Sequence, residues 1–350
     1  MNFNINDLVR ENIKKLVPYS SARDEFQGEA NVFLDANENS LGSPFVKWYN
    51  RYPDPHQLKI KEKLSAIKGV PVSNIFIGNG SDECIDLLFR AFCNPGKDNV
   101  IICPPTYGMY QVSADINDIE VRKAPLLDHF QLDLVHMENL VDDFTKIIWL
   151  CSPNNPTANS LNREDIEMVL NNFPGLVVID EAYINFSRHR SFIQELPEYP
   201  NLVVLQTLSK AWGLAGLRLG MAFASEDIIH IYNKIKPPYN IGQATQDIVL
   251  KALDNVEEVN EMIKLLVAER EKLAQELALI PHVQKINPSD ANFLLVKINE
   301  AKKAYDYLLT KGIVVRDRSN VQLCEDCLRI TVGSPAENRA LIDGLSDFTP

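Results

Sequence analysis

The sequence predicts an α/β protein: a large domain with a mostly parallel sheet flanked by helices, plus a smaller α+β domain. Three observations carry this. Between residues 74 and 225, short apolar runs rich in β-branched residues alternate with helical stretches, the pattern of strands buried on both faces by crossover helices. A long helical stripe follows, and beyond it strand-like runs return. The length of 350 residues suits two domains of ordinary size.

Residues 1–30 are too few to build a core and are expected to pack on one of the domains. The large domain is then 31–242 and the small one 243–350. NIFIGNG (74–80), NVIICPP (99–105), KIIWLCSP (146–153), GLVVIDEAY (175–183), NLVVLQTLSK (201–210) and GMAFAS (220–225) read as strands. Ser81–Phe92 and Arg163–Asn171 read as helices between them. From Gln243 to Ile280 apolar residues recur at three- and four-residue steps, a helical stripe broken by Arg270 and best read as core packing. ANFLLVKI, GIVVRD and CLRITVG then read as strands of the small domain, with a helix Ala301–Lys311 among them.

The 35 basic and 47 acidic residues give a formal net charge of −12, which argues against nucleic acid or an anionic membrane as main partner. A local basic pocket for a small anion stays compatible with it. No basic start followed by an apolar stretch opens the chain, and no apolar run reaches the ~18 residues of a membrane span. A cytoplasmic protein is expected. Of the six cysteines, Cys103 and Cys151 close apolar runs and pack as small hydrophobes. Cys324 and Cys327 form a C-x-x-C, but a structural zinc needs four ligands, and no second pair or close histidine pair accompanies it. No metal is expected.

In an open α/β sheet, ligands bind beyond the carboxyl ends of the strands, so the residues after each apolar run belong together. They are Gly80-Ser81-Asp82, Pro105-Thr106-Tyr107, Asn154-Asn155-Pro156-Thr157, Asp180-Glu181-Ala182-Tyr183 and Thr207-Leu208-Ser209-Lys210, with Arg218 close behind. Singly, each has a plain explanation as a helix cap, a turn or a solvated charge. Together they offer backbone N–H groups, hydroxyls from Ser81, Thr207 and Ser209, and the charge of Arg218 for a phosphate. Tyr107 offers an aromatic face for a planar ring, and Asp180 a carboxylate for a protonated ring nitrogen. Asn155 and Tyr183 offer hydrogen bonds for a phenolic oxygen, and Lys210 an amine for an aldehyde. That set of needs describes pyridoxal 5′-phosphate.

VVIDEAY followed by the lysine of TLSKAWGLAGLRLG resembles the fold-type I pyridoxal-phosphate-dependent aminotransferases. More narrowly, LDANENS (34–40), RYPDP (51–55), CPPTYGMY (103–110), CSPNNPT (151–157) and CLRITVG (327–333) resemble the histidinol-phosphate aminotransferase family, over nearly the whole chain. The resemblance implies that Lys210 is the imine-forming lysine and proton carrier, and Asp180 the partner of the ring nitrogen. Asn155 and Tyr183 hold the ring oxygen, Tyr107 stacks on the ring, and Gly80, Ser81, Asp82, Thr207, Ser209 and Arg218 surround the phosphate. Tyr52 reaches that phosphate in a neighbouring subunit, which implies a homodimer with shared sites. Tyr19, Asn37, Arg316 and Arg329 face the substrate. The implied reaction transfers the amino group of histidinol phosphate to 2-oxoglutarate, in histidine biosynthesis. One departure is visible: the family usually reads NNPTG, and this chain has Ala158 in place of the glycine. Alanine reaches positive φ less cheaply, so a reshaped turn is expected there.

Rival readings lack a necessary part. VVIDE is similar to the metal-binding strand of an NTPase, but no G-x-x-x-x-G-K-[ST] loop accompanies it. A Ser209–Lys210 hydrolase fails because adjacent residues on an extended strand point to opposite faces. A sensor carrying a DNA-binding module needs a longer and less acidic chain. Within the resembling fold, an aromatic amino-acid aminotransferase or a phospho-amino-acid decarboxylase is the nearest alternative.

Overall fold

Each of the six apolar runs forms a strand, and a seventh strand that apolarity does not mark closes one edge. The computed structural model describes residues 3–22, 34–45 and 47–349. Its large sheet holds β1 (Ile75–Asn79), β2 (Asn99–Ile102), β3 (Glu120–Lys123), β4 (Thr145–Cys151), β5 (Leu176–Asp180), β6 (Leu202–Thr207) and β7 (Leu219–Ala224). The order is β1-β7-β6-β5-β4-β2-β3. From β6 to β3 all neighbours run parallel, whereas β7 is antiparallel to both β1 and β6. The β6–β7 link, residues 208–218, contains no helix long enough for a parallel crossover, so the chain returns antiparallel. The unmarked strand is β3, whose EVRK sequence suits an edge that touches water.

Alternate residues of β1, β4 and β5 enter different cores. Ile75, Ile77, Ile148, Leu150, Val177 and Ile179 pack with the helices Leu58–Lys68 and Arg163–Asn172. Phe76, Ile147, Trp149, Leu176 and Val178 pack with Gly80–Phe92 and Glu226–Ile235. Burial on both faces is why these strands are continuously apolar. The N-terminal segment joins the second core: Val9 is buried in it, Arg10 N–H donates to Ala91 O (3.0 Å), and the Arg10 side chain donates to Arg90 O (2.8 Å).

The second sheet is antiparallel throughout, with β8 (Val283–Ile286), β9 (Phe293–Ile298), β10 (Arg316–Asp317) and β11 (Cys327–Thr331) in the order β10-β11-β9-β8. Leu273 and Leu277 of helix Val256–Leu277, Leu308 of Ala301–Thr310, and Leu341 and Leu345 of Pro335–Asp347 cover it.

The structure corrects several expectations. The stripe from Gln243 to Ile280 is two helices, Gln243–Ala252 and Val256–Leu277, separated at residues 253–255. Arg270 does not break the second helix. It is buried and donates to the carbonyls of Phe186 (3.3 Å) and Ala291 (2.7 Å), which satisfies a charge that apolar periodicity reads as a fault. The strand expected over GIVVRD shrinks to Arg316–Asp317, and Val314 is 77% exposed. NLVVLQTLSK stops being a strand at Thr207, so Ser209 and Lys210 lie on a bend. The opposite-face argument against a Ser–Lys pair therefore does not apply to them. At the turn where the family usually has glycine, Ala158 itself adopts φ +71°. A left-handed alanine costs about 1–2 kcal/mol. Its N–H donates to Asn154 O and its carbonyl accepts from Asp290 N–H, both at 2.8 Å, and its methyl is fully buried. Two hydrogen bonds of about 1 kcal/mol each offset that cost.

Cys324 and Cys327 are buried free thiols, pushed up by burial to about 12 and about 11. Among the described residues, no group of three or more histidine, cysteine or acidic side chains is placed to hold a metal. No helix among them is long and apolar enough to cross a membrane.

Lys61, on the helix Leu58–Lys68, is 4% exposed, and burial followed by the charge of Lys236 pulls its ammonium down to about 8. Below pH 8 the lysine is charged folded and unfolded, so the burial penalty is complete. Between about 8 and the ordinary 10.5 the unfolded chain keeps a proton the folded one has lost, so stability rises with pH. Lys61→Met should therefore add about 2–3 kcal/mol at pH 7. Urea titrations at pH 7 and 10.5 should show that gain shrinking at the higher pH; a gain independent of pH would refute this account.

Candidate active site

The loops after β2, β4, β5 and β6 meet the small antiparallel sheet around one cleft of about 730 Å³. Ser81, Asp82, Tyr107, Asn155, Asp180, Tyr183, Thr207, Ser209, Lys210, Arg218, Arg316 and Arg329 all line it. A smaller recess of about 280 Å³ beside Glu181, Arg163 and Glu195 is separate from these residues.

One end of the cleft is built for an anion. The helix Gly80–Phe92 begins there with no side chain capping its first N–H groups, which leaves donors and the positive end of the helix dipole open. Gly80 does not line the cleft wall, but it shapes this end: its φ is +75°, its N–H donates to Arg218 O at 2.7 Å, and a Cβ there would meet the Arg218 guanidinium at 2.7 Å. Gly220 has the same effect from β7, since a Cβ on it would stand 2.2 Å from Ser81 N. Arg218 lies over Asp82 (3.2 Å), and the Thr207 hydroxyl donates to Ser209 Oγ at 3.0 Å.

The floor is Asp180, 3% exposed at the end of β5. Burial pushes its carboxyl up, while the Tyr110 hydroxyl (2.8 Å) and the Ala182 N–H (3.1 Å) pull it down. Among the described residues no cation pairs with it within ion-pair distance. A buried carboxylate held by two donors and facing a cleft fits a cationic ligand group.

Lys210 stands with its ammonium 5.5 Å from the centre of the Tyr183 ring. Burial and then the Arg329 charge lower its proton affinity, so more neutral amine is present than on an ordinary lysine. Tyr107 donates to Asp82 (3.1 Å) and meets Tyr110 edge-on at 5.6 Å. On the small-sheet side Arg316 and Arg329 are directly paired across β10 and β11. Two like charges facing each other across strands destabilise the pair unless an anion joins them. Arg329 donates to Asn155 Oδ1 at 2.5 Å and lies over the Phe293 ring. Among the described residues neither arginine forms an ion pair.

Three candidates stand outside this cleft in the single chain. Tyr19 and Asn37 are exposed, and Tyr52, 50% exposed, stacks on Tyr239 at 4.4 Å. Sequence reasoning missed Tyr110 and Arg318, and gave Thr106, which it placed among the loop residues, no role. Tyr110 lies in the first turn of the helix Met109–Ile116, three residues after Tyr107 of the preceding loop, and Arg318 follows Arg316 by two, the spacing that repeats a face of an extended chain.

Residues 46–345 match the family described as aminotransferase class I and II. The chain is 52% identical to the histidinol-phosphate aminotransferase of Cytophaga hutchinsonii over 99% of its own length and all of the relative's. It is 55% identical to that of Christiangramia forsetii over 99% of this chain and 98% of the relative. The chain belongs to the histidinol-phosphate aminotransferases. The fold agrees with solved structures of this class. The enzyme of Clostridium acetobutylicum superimposes with a TM-score of 0.78 at 23% identity, over 85% of this aminotransferase and 90% of that chain. The Sinorhizobium meliloti enzyme, solved in complex with pyridoxal-5′-phosphate, gives 0.77 at 23%, over 85% and 82%. An L-threonine-O-3-phosphate decarboxylase from Porphyromonas gingivalis also shares the fold (TM-score 0.72, 23% identity), a likeness of fold alone.

Proposed function

We propose that this aminotransferase binds pyridoxal 5′-phosphate in the cleft and transfers the amino group of L-histidinol phosphate to 2-oxoglutarate, giving imidazole-acetol phosphate and glutamate. The observation that carries this reading is one cleft lined by the open helix start with Arg218, by buried Asp180, by Lys210, and by the facing pair Arg316 and Arg329. When bound, the cofactor supplies an aldehyde that exchanges amines and a ring that accepts electrons.

The chain's own residues do the rest. Ser81, the backbone of Asp82, Thr207, Ser209 and Arg218 hold the cofactor phosphate, with Gly80 allowing the close approach. Tyr107 would stack on the ring, Asn155 and Tyr183 would donate to its oxygen, and Asp180 would hold a proton on its nitrogen. Lys210, as a neutral amine, would take the proton from the substrate Cα and, as its ammonium, return it to the cofactor carbon on the far side of the transferred nitrogen. Arg329 and Arg316 hold the phosphate of one substrate and the carboxylates of the other in turn; an arginine fork suits both anions.

Tyr52, with Tyr19 and Asn37, we assign to completing the site from outside the single-chain cleft, Tyr52 reaching the cofactor phosphate of a partner copy. Exposed Leu34, Leu41, Phe45 and Trp48 support a homodimer, since such residues cluster at interfaces. We read residues 31–242 as the cofactor-binding domain and 243–350 as the small domain, and place the enzyme in the cytoplasm. The test is a side-by-side assay with histidinol phosphate, phenylalanine and O-phosphothreonine as amine donors. Glutamate formation should be at least ~10-fold more efficient with histidinol phosphate than with phenylalanine, the scale of a lost charged contact. Preference for phenylalanine, or release of carbon dioxide from O-phosphothreonine, would overturn the named substrate.

A further inference from the structure

We propose that Tyr110 is a positioning residue for the cofactor's ring nitrogen, acting through Asp180 by the hydrogen bond its hydroxyl donates. The inference rests on the reading of the cleft as a pyridoxal-phosphate site and assigns a part to a residue that reading does not use. Tyr110 lies on the helix Met109–Ile116 and is fully buried, and its hydroxyl stands 2.8 Å from Asp180 Oδ2. The other carboxylate oxygen accepts the Ala182 N–H at 3.1 Å. These are the two donors that Asp180 has among the described residues.

The geometry is held from several sides. The Tyr110 ring stacks on Trp149 at 5.0 Å and 18°, and Trp149 stacks on Phe89 at 5.2 Å. Tyr107 meets the free edge of Tyr110. A ring clamped this way holds its hydroxyl between Asp180 and the Cys151 thiol, so little rotamer entropy is lost when it donates to the carboxylate.

The electrostatics explain why the donor matters. Around Asp180 stand Asp82 and Cys84 from the helix Gly80–Phe92, Cys151 from β4, and Tyr107, Tyr183 and Lys210 from the loops. Lys210 alone among them carries positive charge, and it does not reach ion-pair distance. Asp82 is a like charge, and burial opposes ionisation further. The hydroxyl of Tyr110 is therefore a principal force keeping the carboxylate charged. A carboxylate that loses it would accept the proton it should leave on the ring nitrogen.

Tyr110→Phe removes one oxygen and keeps the stack. The holoenzyme, reconstituted with pyridoxal 5′-phosphate labelled with ¹⁵N in the ring, reports the nitrogen's protonation by NMR without turnover. In the wild type the nitrogen should stay protonated across the neutral range. In Tyr110→Phe its titration midpoint should fall by about one pH unit or more, the scale of one charged hydrogen bond. Both half-reactions should lose about tenfold in kcat with KM unchanged. In an Asp180→Asn background, Tyr110→Phe should change neither quantity further, since residues acting as a unit are non-additive. If Tyr110→Phe does not fold, 3-fluorotyrosine at position 110, a stronger donor of nearly the same shape, should move the midpoint upward. A midpoint unchanged in a folded Tyr110→Phe, or unmoved by the fluorotyrosine, would overturn the proposal. A wild type that fails to take the cofactor, or holds it with a neutral ring nitrogen, would instead overturn the reading of the cleft.

Discussion

Lys210→Ala should lower turnover by about 10⁴-fold, the upper range for losing a general acid–base group, while leaving the melting temperature within a few degrees of wild type. The reason lies in where the side chain stands. Lys210 follows β6 on a bend, in a cleft where burial and the Arg329 charge favour its neutral amine. Among the described residues no other lysine lines that cleft, so no second amine there can take over the proton. The alanine variant should still bind pyridoxal 5′-phosphate through the Arg218 end. It should lose covalent retention of the cofactor after borohydride reduction, which peptide mass spectrometry reads directly at residue 210. Turnover within about tenfold of wild type would remove Lys210 from the mechanism.

The second large effect is expected at the arginine pair. Arg329→Lys keeps the charge but loses the planar fork that binds carboxylate or phosphate through two parallel hydrogen bonds. It should lower kcat/KM of both half-reactions by about 10²-fold, corresponding to ~3 kcal/mol. The register places Arg316 directly opposite Arg329, yet Arg316 is the more exposed, and Arg329 is anchored on Asn155 and Phe293. Arg316→Ala should therefore hurt histidinol phosphate more than glutamate, because a dianionic phosphate gains more from a second guanidinium. Stopped-flow measurement of each half-reaction separates the cases. If both variants handled histidinol phosphate normally, the assignment of this end of the cleft would have to be withdrawn.

Arg318 shows how far the candidate site was legible. The run GIVVRDRSN carries Arg316 and Arg318 two residues apart, and both line the cleft. Expecting a six-residue strand there put the weight on its apolar part, which stands in water at Val314. Tyr110 was hidden for another reason. Its partner Asp180 is 70 residues away, and nothing local in CPPTYGMY says which of two tyrosines turns toward a ligand and which toward a carboxylate.

The sequence by itself determined six of the seven strands of the large sheet, their apolar character and the loops that carry chemistry. Apolar runs such as LVVID and KIIWLC must be covered on two sides, and polar residues directly after them can only sit at a sheet's end. These are short-range constraints, written in neighbouring residues. Only the tertiary structure decided what depends on strand order and register: the antiparallel β7, the Arg316–Arg329 pairing, the Tyr110–Asp180 contact and the carbonyl-bound Arg270. Ala158 belongs with them. Its residue type argues against φ +71°, and hydrogen bonds to Asn154 and to the distant Asp290 hold it there. Local preference at one position is about 1–2 kcal/mol, and contacts brought from across the fold are large enough to reverse it.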